Sequence, residues 1–316
     1  MSERGALAAA EPMGIEPIAI GRFLVGALAT AALSCWSCAP ATSTPGSVAT
    51  MPWQLKALDA AAAWKVTQGQ GEVLAFLDSG LADGALPNLR ARELGSPPAP
   101  DLNGHGTAVT TLAAGSGDLG VWGVAPQAQV LVISIVDVSG LISPEKVVAG
   151  IHSAVERRAS VINMSFGQPV DNPQIKAAIA YATGHGVVVV AAGGDTWSPA
   201  PLFPADLADQ VIAVRALAEN GAAPLSANTV GVNGIDAPGE DLPAVTVRDG
   251  VTVEAASDGS SMATAVVSGS VALLEACSRR SSGAVLGAKS LVRILRSSAS
   301  GGPWFDLGRA VRAAGC

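Results

Sequence analysis

Charge and aromatic rings are scarce in this 316-residue sequence. Charged residues make up 14% and aromatic residues 4%, with a single Tyr, against 49% hydrophobic residues. That balance argues against disorder over most of the length. It provides for a large buried core, in one large α/β domain or two small ones. There is no long basic run and the formal net charge is -7, so nucleic acid is not an expected partner. The three histidines, His105, His152 and His185, are too few for a His-rich metal site. Cys35 and Cys38 form a C-x-x-C, but no second pair at zinc spacing follows and no strand–helix context suggests a redox motif. Neither a G-x-G-x-x-G after the first strand nor a Walker loop occurs, which leaves a nucleotide-binding module without support. Internal repeats are absent, and so is an acidic calcium loop. Asp101, Asp118 and Asp137 are scattered and read as solvated loop residues. No metal and no cofactor is expected.

The first 50 residues carry a targeting pattern. Residues 23–34, "FLVGALATAALS", are apolar and small, with Arg22 in front. The run is too short to span a bilayer and suits the core of a signal peptide. Cys35 follows at once, and "ALSC" loosely resembles a bacterial lipoprotein signal, with Ala32 where Leu is usual. An ordinary cleaved signal or a disordered tail fits the same residues. The expected organisation is a signal-peptide or lipoprotein-signal-like segment over 1–38, a Pro/Ser/Thr-rich linker over 39–50 and one domain over 51–316. The chain is expected to be exported: secreted, periplasmic or membrane-anchored through a lipid on Cys35. In an oxidising compartment Cys277 and Cys316 could pair and tie down the C-terminus.

After Met51 the pattern alternates. "WQLKALDAAAAWKVT" reads as a short helix and "EVLAFLD" as an apolar strand ending in Asp78. "GHGTAVTTLAAG" runs on with helical spacing. Residues 128–137, "AQVLVISIVD", read as a strand buried on both faces. "SPEKVVAGIHSAVERRA" has a Ser cap candidate, Pro at the first helical position and apolar residues every three or four. "SVINMSFG", "VVVVAAGG" and "QVIAVRAL" are further strands, and "NPQIKAAIAYATGHG" a further helix. This alternation predicts an α/β fold of three layers, with a central, mostly parallel sheet flanked by helices. In such sheets ligands bind beyond the carboxyl ends of the strands. That singles out Asp78, Ser165, the Gly194–Asp195 turn, and His105 between its two glycines.

Residues 256–274, "ASDGSSMATAVVSGSVALL", put a polar, Gly-containing knot at the head of an apolar run. Ser261 there, with His105 and Asp78, supplies a nucleophile, a base and an orienting acceptor. A serine at a helix N-terminus also has free N–H groups beside it for a developing oxyanion. "VLAFLDSG", "NGHGTAVTTLAAG", "VWGVAPQAQVLVISIVD", "SVINMSFG", "APGEDL" and "DGSSMATAVVSG" resemble, in order and spacing, the blocks of the subtilisin-like serine peptidases. "LPNL", residues 86–89, resembles the segment that follows the family's catalytic Asp. The likeness covers about residues 51–276. It implies that Ser261 attacks the scissile carbonyl, that His105 removes and returns its proton, and that Asp78 orients and stabilises the imidazolium. It further implies that Ser165, Phe166 and Gly167 pair with the substrate backbone as an added strand, with Gly167 walling the main specificity pocket. A protein or peptide substrate follows.

One departure bears on activity. The family carries Asn after the "VVVVAAG" strand, and its amide donates to the oxyanion. Gly194 stands here, followed by Asp195. Loss of one such donor costs about 10²–10³ in rate, a figure that comes from subtilisin itself. Two substitutes are open: a one-residue shift that puts a protonated Asp195 in the hole, or the Ser261 N–H with a water. The expected function is therefore an exported serine endopeptidase working through an acyl-enzyme. The alternative is a catalytically weak or silent domain of the same fold that binds peptides or a protein partner.

Overall fold

The structure is a computed structural model, and it describes residues 51–85, 99–117, 120–137, 139–231 and 233–316. The targeting segment, the linker, "LPNL" and Asp118 lie outside the described residues. Two short helices come first among the described residues, α1 (Trp53–Ala57) and α2 (Ala60–Trp64). They fall where one helix was expected, because Asp59 between them adopts φ 50° and breaks the turn.

Six strands form one parallel sheet: β1 (Val73–Asp78), β2 (Gln129–Ser134), β3 (Val161–Met164), β4 (Val188–Ala192), β5 (Val211–Leu217) and β6 (Gly234–Pro238). Their order across the sheet is β2-β1-β3-β4-β5-β6. β1, β3 and β4 are buried at every position, as strands covered on both faces must be. β2 differs from the expectation of burial on both faces. It is an edge strand, and only Val130 and Leu131 of it are buried.

Alternate residues of each strand serve two different cores. Leu74, Phe76, Val188 and Val190 pack on one face, against α3 (His105–Ala114) and α6 (Ser260–Ser282), with α7 (Ala288–Ser298) and α8 (Leu307–Ala313) completing that layer. Ala75, Leu77, Val189 and Ala191 pack on the other, against α4 (Pro144–Glu156) and α5 (Pro173–Gly184). Ser143 caps α4 by accepting from the Lys146 N–H, with Pro144 at the first helical position. α6 is long and apolar enough to cross a membrane by composition, but 94% of its apolar window is buried inside the fold. A separate antiparallel hairpin, β7 (Leu242–Arg248) and β8 (Val251–Ser257), leads directly into α6. A disulfide joins Cys277 on α6 to Cys316, with Cα atoms 5.4 Å apart.

Candidate active site

The sheet order reverses at β1. The chain steps from β1 to β2 on one side, then returns to β3 on the other. Backbone groups diverge there beyond the strand ends, and a crevice opens. Asp78 is the last residue of β1 and Ser165 follows β3 directly, so both lie at that crevice.

His105 is the first residue of α3, and its Nδ1–H donates to Asp78 Oδ1 over 2.7 Å. A carboxylate accepts only, so the proton belongs on Nδ1 and Nε2 carries the free lone pair. The Asp78 side chain is 4% exposed and that of His105 is 37% exposed. The acceptor is thus sealed in while the ring still meets the cleft. Burial alone pulls the His105 pKa down. The Asp78 hydrogen bond and charge, with the Asp101 charge added, more than offset this and hold it above the ordinary 6.5. Asp78 Oδ1 also accepts from the Ser79 N–H at 2.8 Å.

Asp101 is buried, contrary to its reading as a solvated loop residue. Its Oδ2 accepts from the Thr107 N–H (2.8 Å) and hydroxyl (2.7 Å). Its Oδ1 accepts from the Gly104 N–H (3.0 Å) and the Ser79 hydroxyl (2.9 Å). This carboxylate therefore pins the turn that presents His105 to the strand end that presents Asp78. The signal was present in "DLNGHGT": an Asp three residues before a Gly is a type I turn pattern. Gly106 is required at the same place, because a Cβ there would stand 2.4 Å from the Gly80 carbonyl oxygen.

Ser261 is the second residue of α6. Its hydroxyl donates to the Ser165 carbonyl oxygen at 3.0 Å, and the Ser165 hydroxyl donates to the Ser261 carbonyl oxygen at 2.9 Å. Behind them, Asn163 Nδ2 donates to Ser165 Oγ (2.9 Å) and the Ser268 hydroxyl to Asn163 Oδ1 (2.8 Å). Asn163 and Ser268 are wholly buried and were not singled out from the sequence. A polar pair inside a run of apolar strand and helix residues was the available signal.

Asp195 does not point away from the nucleophile turn. Its Oδ2 accepts from the Ser260 N–H (3.0 Å) and hydroxyl (2.7 Å), while Ser260 Oγ accepts from the Gly194 N–H (3.2 Å). It occupies the place of a helix cap, at the positive end of the α6 dipole. Glu240, Asp241 and Asp258 stand nearby. Burial and the charges of Asp258, Asp195 and Asp241 push the Glu240 pKa up.

A cavity of about 250 Å³ lies against this cluster, lined by Asp78, His105, Ser165 and Phe166 with Ile135 and Ile142 among others. Among the described residues no group of three or more His, Cys, Asp or Glu could hold a metal ion. His152 and His185 sit elsewhere, on the α4–α5 face, with the Tyr181 ring between them.

The Subtilase family profile matches residues 70–303. The chain belongs to the subtilase family. It is 33% identical over 242 residues to the "Intracellular serine protease" of Paenibacillus polymyxa, covering 71% of this chain and 73% of that protein. It is 33% identical over 230 residues to "Subtilisin Savinase" of Lederbergia lenta, covering 71% and 84%. To "Thermitase" of Thermoactinomyces vulgaris it is 31% identical over 234 residues, covering 71% and 82%. Membership makes this subtilase a serine-type endopeptidase, a hydrolase acting on proteins or peptides.

Proposed function

We propose that the protein cleaves peptide bonds through an acyl-enzyme on Ser261, with His105 as general base and acid and Asp78 as its orienting partner. The observation that carries this reading is the 2.7 Å bond from His105 Nδ1 to a buried Asp78, at the cavity that Ser165 also lines, with Ser261 bonded to Ser165. In the reaction the Ser261 hydroxyl leaves the Ser165 carbonyl and turns to Nε2, which takes its proton as Oγ attacks the scissile carbon. The tetrahedral oxyanion is held by the Ser261 N–H; the other first-turn amides of α6 are engaged, Ser260 by Asp195 and Met262 and Ala263 by the Gly259 carbonyl. Gly194 has no side-chain donor to add, and Asp195 is engaged as an acceptor by Ser260. The imidazolium then gives its proton to the leaving amine, and water enters by the reverse sequence to release the acid. Ser165, Phe166 and Gly167 offer an extended edge for the substrate backbone.

Export belongs to the same proposal. It rests on the apolar residues 23–34 before Cys35 and on the Cys277–Cys316 disulfide, a bond that persists in oxidising compartments. One relative is by name intracellular, so the relatives do not carry this point.

The test is labelling of the purified full chain with a fluorophosphonate, read by intact mass. One adduct on the wild type and none on Ser261→Ala is expected. A folded wild type that takes no adduct would sink the mechanism. Fractionation of cells expressing the full chain and Cys35→Ser tests export. A cytoplasmic, unprocessed product would count against it, and lipid incorporation lost in Cys35→Ser would establish the anchor.

A further inference from the structure

Two glycines face each other across the far side of the nucleophile turn. Gly167 follows β3 and Gly194 follows β4, and the two strands are parallel neighbours in the sheet. Segments that leave adjacent parallel strands diverge, and glycines on both walls leave a slot with no side chains from either. One side chain reaches both walls. A Cβ added to Gly167 would stand 2.9 Å from Leu202 Cβ and 3.2 Å from its Cδ1. A Cβ added to Gly194 would stand 2.8 Å from Leu202 Cδ1 and 2.9 Å from its Cγ. Leu202 is held there by its backbone, whose N–H donates to the Gly193 carbonyl at 2.9 Å, and it is half-buried.

The position of the slot follows from the rest of the site. A substrate strand lying along Ser165, Phe166 and Gly167 alternates its side chains between two sides. One side holds the cavity lined by His105, Ile135, Ile142 and Phe166. The other holds the Gly167–Gly194 slot. The residue that donates the scissile carbonyl must bring that carbon to Ser261, whose neighbour Ser260 is bonded to the Gly194 N–H. Its side chain therefore enters the slot, and the next residue upstream turns toward the cavity.

We propose that Leu202 is a specificity-determining residue: it fills the slot beside the scissile bond, so the residue donating the scissile carbonyl must be glycine, alanine or serine. This rests on the peptidase reading above and names its substrate class. It also accounts for glycine at 194, because Leu202 occupies the space that a side chain on that residue would need.

The full chain is tested with two peptide nitroanilides that differ only at that residue, alanine against phenylalanine. The alanine substrate is expected to have at least about tenfold higher kcat/KM, since a pocket resolves one methylene by about that factor. Leu202→Gly should raise the phenylalanine-to-alanine ratio by tenfold or more. Leu202→Ala, which keeps a Cβ, should raise it by less and serves if the glycine variant does not fold. A second arm measures equilibrium binding of the matching uncleaved peptides to the Ser261→Ala chain, with and without Leu202→Gly. Equal turnover of both substrates by the wild type, or an unchanged ratio in folded Leu202→Gly, overturns the proposal. Alanine-selective binding with no turnover and no fluorophosphonate adduct overturns the peptidase reading and keeps the slot. No discrimination in either arm, or no binding at all, counts against the slot itself.

Discussion

Ser261 and Ser165 hold each other by reciprocal hydrogen bonds, each hydroxyl donating to the other's carbonyl oxygen at 3.0 and 2.9 Å. The head of α6 is thereby fixed to the end of β3 through two serines, in addition to the apolar core that α6 shares with the sheet. Asn163 and Ser268 extend the link into the interior, where each polar atom finds a partner. Buried networks of this kind rigidify what they connect, and become costly when half-satisfied.

Asn163→Leu should therefore cost more than its loss of one side chain. It leaves the Ser268 hydroxyl without its partner, at about 1–3 kcal/mol for an orphaned group, and takes from the Ser165 hydroxyl the bond it accepts while leaving the one it donates to Ser261. We expect a fall of roughly 1–3 kcal/mol in unfolding free energy by urea titration, and fluorophosphonate labelling of Ser261 slowed at least tenfold. Ser268→Ala removes only the far link and should lose stability without slowing the label as much. Equal slowing in both variants would mean that the network acts through stability alone.

The pH profile follows from His105. Its neutral form is the base, and its pKa is held above 6.5. Labelling should rise with pH along an acid limb whose midpoint lies above 6.5. Asp78→Asn removes the charge that raises this pKa and permits the wrong tautomer. The limb should move down, and the rate at its plateau should fall on the order of 10⁴. A limb that stays in place in Asp78→Asn would assign it to another group.

Much of this was legible in the sequence, for identifiable reasons. Asp78, His105 and Ser261 each stand at the junction of a regular element and a glycine-rich turn, which periodicity alone exposes. β1, β3, β4 and β5 are short Val- and Ala-rich runs that no other element would suit. β6 was not recognised, because "GIDAP" is short and ends in Pro. The β7–β8 hairpin was hidden for another reason: it is held by pairing with itself and packing on α3, and β8 has almost no buried face to give a pattern. Leu202 and Asn163 matter through partners far away in the chain or by burial, and neither is visible in local spacing.

Stability should depend on pH through a second buried carboxylate pair. Glu275 and Glu72 lie under Arg279, whose Nε is 3.6 and 3.3 Å from them. Burial pushes the Glu275 pKa up to about 7, against the Leu286 N–H bond and the Arg279 charge, which oppose the rise. Burial raises Glu72 as well. A carboxyl whose pKa is higher in the folded state binds its proton more readily there. Its favourable contribution is complete below about 4.5 and is lost as pH rises to about 7. The difference is on the order of 3 kcal/mol. Relative to Glu275→Gln, the wild type should lose melting temperature across that interval. Parallel curves for the two proteins would show that Glu275 does not titrate there.

Gly194→Asn tests whether the missing oxyanion donor can simply be put back. The backbone at Gly194 has φ 103°, which side chains rarely adopt. A Cβ there would also stand 2.7 Å from Asn228 Nδ2 and 2.8 Å from Leu202 Cδ1. Asn228 cannot yield easily. It is wholly buried, it donates to the Gly193 carbonyl, and its Oδ1 accepts from the Thr196 and Ser198 N–H groups. The substitution should therefore cost about 1–3 kcal/mol by overpacking and should not speed labelling of Ser261. Pairing it with Leu202→Gly relieves one of the two contacts and should recover part of the lost stability. Labelling a hundredfold faster in Gly194→Asn, with an unchanged melting temperature, would show that the turn accepts the side chain. Glycine there would then owe nothing to Leu202.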